Sequence, residues 1–298
     1  MGFYQSRHWI DGICKTYGLK SYTVFAGINS LVVIEIKSRL FGHRLISLPF
    51  CEYGIDTVST LSEGVLENLR TLKEITKAEY FEIRSPQKHE ALHVNAEYST
   101  FTVSGETLDQ VWSKVDRKLR QQIKEASKLF IMRENNIDEF YSFYLQNQTR
   151  RGSPVHSQEF FEKCGLEIYL AYLRPKPSQL ASAILIGSDG PEINWWGNVN
   201  DPKLRSLNGT SWLLWEIIKR KFQPGFNFDL GRTRPGPIRN YKKQWSGREH
   251  QIYTLTDVPK KKIDPNERGP LMASKFWRYL PLGIAQLVGP SVIKGTGL

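Results

Sequence analysis

Cysteine and methionine are scarce in this chain of 298 residues, with three of each. Cys14, Cys51 and Cys164 are odd in number and far apart, which excludes a full disulfide framework and a cysteine-built metal cage. Reduced, mostly buried thiols in a cytosolic protein are the reading left. No cluster of histidine, cysteine and carboxylate has ligand spacing, so no metal is expected. No apolar run reaches the roughly 18 to 20 residues that a spanning helix needs. No charged-then-apolar leader opens the chain, so the Asn-Gly-Thr triplet at 208–210 reads as an accidental glycosylation match. A Gly-x-Ser-x-Gly elbow and a cysteine–histidine nucleophile signature are also missing.

Acidic residues are in deficit. Lysine and arginine number 41 against 30 aspartates and glutamates, a formal charge of +11, which points to anionic partners: nucleic acid, phosphorylated metabolites or an acidic membrane surface. Apolar residues make up 40% of the chain and aromatics 12%, enough for a substantial core and too much for a disordered protein.

Hydrophobic periodicity predicts a helix over 6–17, a hairpin from SYTVFAG and SLVVIEIKSRLFG, and a strand at 43–50. A helix follows at 61–78, where Leu61, Val65, Leu66, Leu69, Leu72 and Ile75 share helical spacing, and then two strands. One long helix is expected from the Thr107 cap to Lys128, with Lys114, Arg117, Lys118, Lys124 and Lys128 on its polar face. The stretch 129–256 then repeats the earlier order: strand, helices, three strands, helix, strand. The economical organisation is an α/β chain of two lobes, 1–106 and 107–256, followed by a basic linker and amphipathic tail at 257–298. Pro281, Gly283 and Pro290 interrupt that tail, which either packs on the protein or lies in a membrane interface with Lys275, Trp277 and Arg278 as anchors.

Four stretches together resemble the FemAB-related acyltransferases: SRLFGHRLISLPFCEYG at 38–54, LRQQIKEASK at 119–128, TRRGSPVHSQEFF at 149–161 and LGRTRPGPIRNYKKQW at 230–245. Their order and spacing extend the resemblance over nearly the whole chain. It implies two GNAT-like lobes with mixed central sheets, the second holding the catalytic cleft. It also implies an aromatic–lysine pair that holds the acceptor and stabilises the tetrahedral transition state. Tyr241 and Lys242 occupy that place, with Lys243 as the alternative lysine.

Other candidates are weighed beside these. Asp229, Arg232 and Arg234 follow a strand end and form either an anion clamp or a simple Asp229–Arg232 turn pair. Arg151 and His156 border the acceptor cleft in the resemblance, whereas a lone histidine before a helix otherwise reads as a cap or surface residue. Glu52 or Tyr53 can orient an amine, or the stretch 52–54 is a structural turn at a strand end. Trp195 and Trp196, flanked by Asn194 and Asn198, are expected on opposite strand faces, so that at most one of them, Trp196 being the candidate, lines a cleft and the other packs in the core. The basic face of 114–128 is a phosphate contact or an ordinary solvated face.

Ordinary GNAT enzymes hold coenzyme A on an [RQ]xxGx[GA] loop at a helix start. Here RSLNGTSW at 205–212 places Arg205 and Gly209 one residue too far apart. The activity the resemblance implies is N-acyl transfer to an amine on a cell-envelope precursor or glycan. Aminoacyl-tRNA is the favoured co-substrate, acyl-coenzyme A is the alternative, and no cofactor is expected to be tightly bound. Such a protein would work in the cytoplasm, at the inner face of the membrane where acceptors are lipid-linked. The rival reading is a non-catalytic basic module that binds nucleic acid or serves envelope assembly.

Overall fold

A computed structural model describes residues 2–39, 41–53, 61–259 and 276–297. The chain folds into two compact units, each assembled from separated segments. Unit 1 takes residues 1–98, 148–165 and 251–298, and unit 2 takes 99–147 and 166–250. The contiguous division at 106 and 256 expected from sequence differs from this grouping, because the chain crosses between units four times.

Unit 1 begins with α1 (Arg7–Tyr17), capped by Ser6 Oγ accepting from Trp9 N and closed by Gly18 in the left-handed region. The expected hairpin forms from β1 (Lys20–Ala26) and β2 (Asn29–Ser38), which pair antiparallel. Strand β3 (Gly42–Ile46) lies antiparallel to β2 and parallel to β4 (Tyr80–Ser85), the crossover being α2 (Glu63–Thr76). The buried apolar face of α2, at Val65, Leu66 and Leu69, packs with Val33, Leu45, Phe81 and Ile83. The fifth strand is β11 (Arg248–Thr256), antiparallel to β4, and the sequence reading had not anticipated it.

In unit 2, β5 (His93–Ser104) enters at Ser99. The expected helix over 107–128 is two helices, α3 (Leu108–Lys114) and α4 (Arg117–Ala126). Asp116 causes the break: its carboxylate accepts from Lys118 N and Leu119 N and starts a new helix. Strand β6 (Phe130–Glu134) leads to α5 (Ile137–Arg151) and α6 (Gln158–Lys163), where the chain passes through unit 1. It returns as the meander β7 (Glu167–Leu173), β8 (Lys176–Asp189) and β9 (Glu192–Asn200), then α7 (Gly209–Lys221) and β10 (Asn227–Asp229). The strand order in this unit is β5-β10-β9-β8-β7-β6, with β10 parallel to β9 and the other pairs antiparallel. Helix α7 is apolar on most of its surface because it packs deeply: Trp212, Leu213, Leu214, Ile217 and Ile218 all belong to the core.

Residues expected to form a basic loop after β10 instead contain α8 (Pro237–Lys243), with Pro237 in the first turn, where its missing N–H costs nothing. Near the C-terminus, residues 276–279 are helical and α9 spans Leu282–Thr296. Lys275 and most of the lysine-rich linker lie outside the described residues. Among the described residues no helix is long and apolar enough to cross a membrane.

Candidate active site

The site grows out of a short strand. Strand β10 pairs with β9 only at Glu192, Ile193 and Asn194, so Trp195 to Asn200 run on past its end. Ligands in α/β sheets gather where parallel strands end in this way. A β-bulge sits at the same level: Ile186 faces Trp195 and Leu185 faces Gly197, leaving Trp196 as the extra residue. At the bulge, the two tryptophans differ in burial. Trp195 is buried and its indole Nε1 donates to Gly197 O at 3.0 Å, while Trp196, Gly197 and Asn198 are all partly exposed. Open space adjoins Gly197, where an added Cβ would meet nothing within 4 Å.

Beyond Asp229 the backbone makes a tight turn. Asp229 Oδ1 accepts from Gly231 N at 2.7 Å and from the Thr100 hydroxyl, tying the turn to β5. Gly231 adopts φ +76°, a conformation glycine takes at little cost. The turn's carbonyls are thereby aimed at α8. Lys242 Nζ donates to Gly231 O at 2.7 Å and to Arg232 O at 3.1 Å, and lies 5.6 Å from the centre of the Trp195 ring. Lys242 is only 6% exposed, while the adjacent Lys243 is fully at the surface. The helix thus separates the two candidate lysines: one ammonium is built into the site and the other faces water.

Tyr241 adds the aromatic part. Its hydroxyl lies 3.1 Å from Ser211 Oγ in the first turn of α7, and its ring meets Trp195 and Trp245 edge-on. Burial raises its ionisation above the ordinary tyrosine range, and hydrogen bonding with Ser211 opposes that shift. The α7 start is itself braced, since Asn200 Oδ1 accepts from the hydroxyls of Ser182 and Thr210. RSLNGTSW, the stretch compared with a coenzyme A loop, forms a 3-10 turn at Arg205–Leu207 and places Asn208 in the left-handed region before α7.

Unit 2 therefore collects Asp229, Tyr241, Lys242, Trp196, Asn198 and Arg232 around the end of β10, with Arg232 half-buried and Arg234 exposed. Thr100, Ser211 and the two turn carbonyls complete the site and were missed from sequence. Only the Asp-x-Gly spacing at 229–231, an Asx-turn signal, pointed to them. Lys114, Arg117, Lys118, Lys124 and Lys128 are all exposed, but the break at Asp116 puts Lys114 on a separate helix, and Lys128 pairs with Glu125 at 2.8 Å.

The remaining candidates belong to unit 1. Tyr53 and Arg151 are partly exposed and exposed, respectively. His156 is neither a surface residue nor a cap. It is buried, stacked on Phe160 at 4.0 Å, set edge-on to Phe50, and its Nδ1 lies 2.5 Å from the Tyr17 hydroxyl. Burial depresses its pKa to about 3, so the ring is neutral at physiological pH. Phe50 of this cluster and nearby Leu48 have φ of +63° and +53°, a conformation that is costly for such side chains. Among the described residues no group of three or more histidine, cysteine or carboxylate side chains is placed to hold a metal.

No family model matches the sequence, and no curated protein matches it. Solved structures do match its fold. FemX superposes with a TM-score of 0.62 at 11% identity, covering 84% of this chain and 91% of its own. L-PGS from Bacillus licheniformis gives 0.54 at 9% identity over 95% and 97% of the two chains. The C-terminal domain of a putative lysylphosphatidylglycerol synthetase from Agrobacterium fabrum gives 0.54 at 8%, covering 83% and 86%. The chain thus shares the fold of FemX and of these two further solved structures.

Proposed function

We propose that this chain is an N-acyltransferase that moves an aminoacyl group from aminoacyl-tRNA to an amine on a cell-envelope precursor or glycan. The observation that carries the reading is the Lys242 ammonium, held by two backbone carbonyls beside the open stretch of β9. Attack of a neutral amine on an ester carbonyl forms a C–N bond and concentrates charge on the carbonyl oxygen. Collapse then breaks the ester C–O bond, and the proton lost by the amine ends on the departing ribose hydroxyl. A preorganised cation stabilises the intermediate without a protein nucleophile, consistent with the missing nucleophile signatures. Two unit charges 4 Å apart near a protein surface interact by about 4 kcal/mol, enough for a large rate effect.

Three features favour a tRNA donor over a thioester. The loop before α7 departs from the coenzyme A pattern, α4 presents Arg117, Lys118 and Lys124 to solvent, and the net charge is +11. One structure sharing the fold is named for lysylphosphatidylglycerol, an aminoacylated lipid.

The test is a calorimetric titration of the protein with charged tRNA, deacylated tRNA and acetyl-coenzyme A, followed by transfer of a radiolabelled aminoacyl group to an envelope-precursor extract. Saturable binding that prefers charged tRNA is expected, with Lys242→Ala lowering turnover by about 10²- to 10³-fold. Tight binding of acetyl-coenzyme A instead would move the donor assignment to acyl thioesters. Turnover unaffected by Lys242→Ala would remove the lysine from the mechanism.

A further inference from the structure

Helix α9 is packed in reverse. An ordinary surface helix buries its large apolar residues and exposes polar ones. Here the buried positions are Ala285, Gly289 and Gly295, with Ala285 at 0% exposure. The backbone approaches so closely that a Cβ on Gly289 would stand 2.5 Å from Val155 Cγ2 and 2.9 Å from Val155 N. The large side chains Leu282, Ile284, Leu287 and Val288 point to solvent, Leu287 being 79% exposed. Ile284, Leu287 and Val288 follow i, i+3, i+4 spacing and form one stripe. Just upstream, Phe276 is exposed and Tyr279 is 86% exposed. More than half of the large apolar side chains exposed among the described residues fall between 276 and 288. Such a concentration marks a contact surface, not scattered surface apolarity.

The charge of the sequence flanking the stripe argues for its occupant. From Arg268 onward the sequence contains no aspartate or glutamate, and Arg268, Lys275, Arg278 and Lys294 are all cationic. The sixteen positions before Phe276 add Lys260, Lys261 and Lys262 against only Asp264 and Glu267. Large aliphatics, an exposed tyrosine and cations without acids are the composition of a helix lying in the interface of an anionic bilayer. Trp277, one of the three anchors in the membrane reading of the tail, is buried, and Phe276 and Tyr279 hold exposed positions.

The helix is held in this pose by unit 1. Arg44 donates to Gly295 O and Thr296 O, and Arg84 donates to Gly297 O, so two buried guanidiniums grip the carbonyls at its end. The geometry points to the outward face of residues 276–288 as a preformed docking surface for an anionic lipid bilayer, lying flat without crossing it. This inference does not depend on the transferase reading.

Flotation of the full-length protein with vesicles tests it, using phosphatidylcholine alone and phosphatidylcholine with about a third phosphatidylglycerol. Point variants are required, because truncation would strip Arg44 and Arg84 of their acceptors. The wild type should float with the anionic vesicles and bind neutral ones about tenfold more weakly. Leu287→Glu and Tyr279→Ser should each lower anionic-vesicle binding about tenfold, while Ile75→Ser, at an exposed position on α2, should leave it unchanged. Matching thermal melts would show that lost binding is not lost folding. Failure of the wild type to float, or flotation of Leu287→Glu at wild-type levels, overturns the inference. A wild-type dimer that Leu287→Glu dissociates, with no vesicle binding, would assign the stripe to a second copy of the chain and also overturn it.

Discussion

Asp229 and Lys242 act on opposite ends of one residue: Asp229 Oδ1 accepts the Gly231 N–H, and Gly231 C=O accepts from Lys242 Nζ. A carboxylate and an ammonium are thereby coupled through a single glycine. The aspartate fixes the turn whose carbonyls hold the lysine, so its contribution to the site passes through backbone geometry.

Asp229→Asn and Lys242→Met should each destabilise the protein by about 1 to 3 kcal/mol, since each leaves buried hydrogen-bonding groups poorly satisfied. Because they share the turn, the double variant should cost less than the two single costs added together, by about 0.5 to 3 kcal/mol. Urea unfolding of the four proteins measures that coupling. Strict additivity would mean that the turn does not link them.

Gly231→Ala tests the turn directly. An alanine forced to φ near +76° costs about 1 to 2 kcal/mol, and relaxing that strain would rotate the Gly231 and Arg232 carbonyls away from Lys242. Reduced stability together with reduced aminoacyl transfer is expected, and chemical denaturation and the transfer assay read the two effects separately.

The His156 cluster should make the protein acid-sensitive. Unfolded histidine protonates near pH 6.5, whereas the buried ring resists protonation until about pH 3. Below pH 6.5 the unfolded state therefore binds the extra proton. This histidine's part of the stability is complete above that pH and falls by about 1.4 kcal/mol per pH unit down to about pH 3. Replacing both partners, Tyr17→Phe with His156→Phe, removes the titrating ring and the hydroxyl beside it together. Thermal melts between pH 4 and 7 should show a shallower acid dependence in the double variant than in the wild type.

Glycines of equal standing in the sequence should respond oppositely to alanine. Gly12 lies where α1 meets α6, and a Cβ there would stand 2.4 Å from Lys163 O, so Gly12→Ala should cost more than about 2 kcal/mol or abolish folding. Gly283 in α9 has open space around it, and Gly283→Ala should be neutral or stabilising by up to about 1 kcal/mol. Melting temperatures of the two variants decide.

Element types were largely legible because the sequence is strongly periodic. The β1–β2 hairpin, α2, the β7–β9 meander and α7 stand where apolar spacing put them. The departures are local. The break between α3 and α4 depends on one carboxylate, Asp116, turning back onto two amides, and apolar periodicity continues across it. Helix α8 is seven residues long and opens with Pro-Ile-Arg, so glycine and proline punctuation read as a loop. The bulge at Trp196 depends on which residues β8 presents, information absent from the β9 sequence. The candidate site was half-visible: Tyr241 and Lys242 followed from a resemblance, whereas Thr100 reaches Asp229 across 129 residues of chain. His156 was misplaced because a lone histidine gives no sign of an aromatic shell assembled from α1, α6 and the turn after β3.

The grip of Arg44 and Arg84 on carbonyls some 210 to 250 positions later also constrains the order of folding. During synthesis those two guanidiniums emerge early, while their acceptors are still untranslated. Their bonds to residues 295–297 wait until that segment leaves the ribosome, whereas every segment of unit 2 is complete by residue 250. Long-range closure of this kind is slow and exposes unfinished apolar surface. Unit 1 thus completes its buried hydrogen bonding only once α9 has been made.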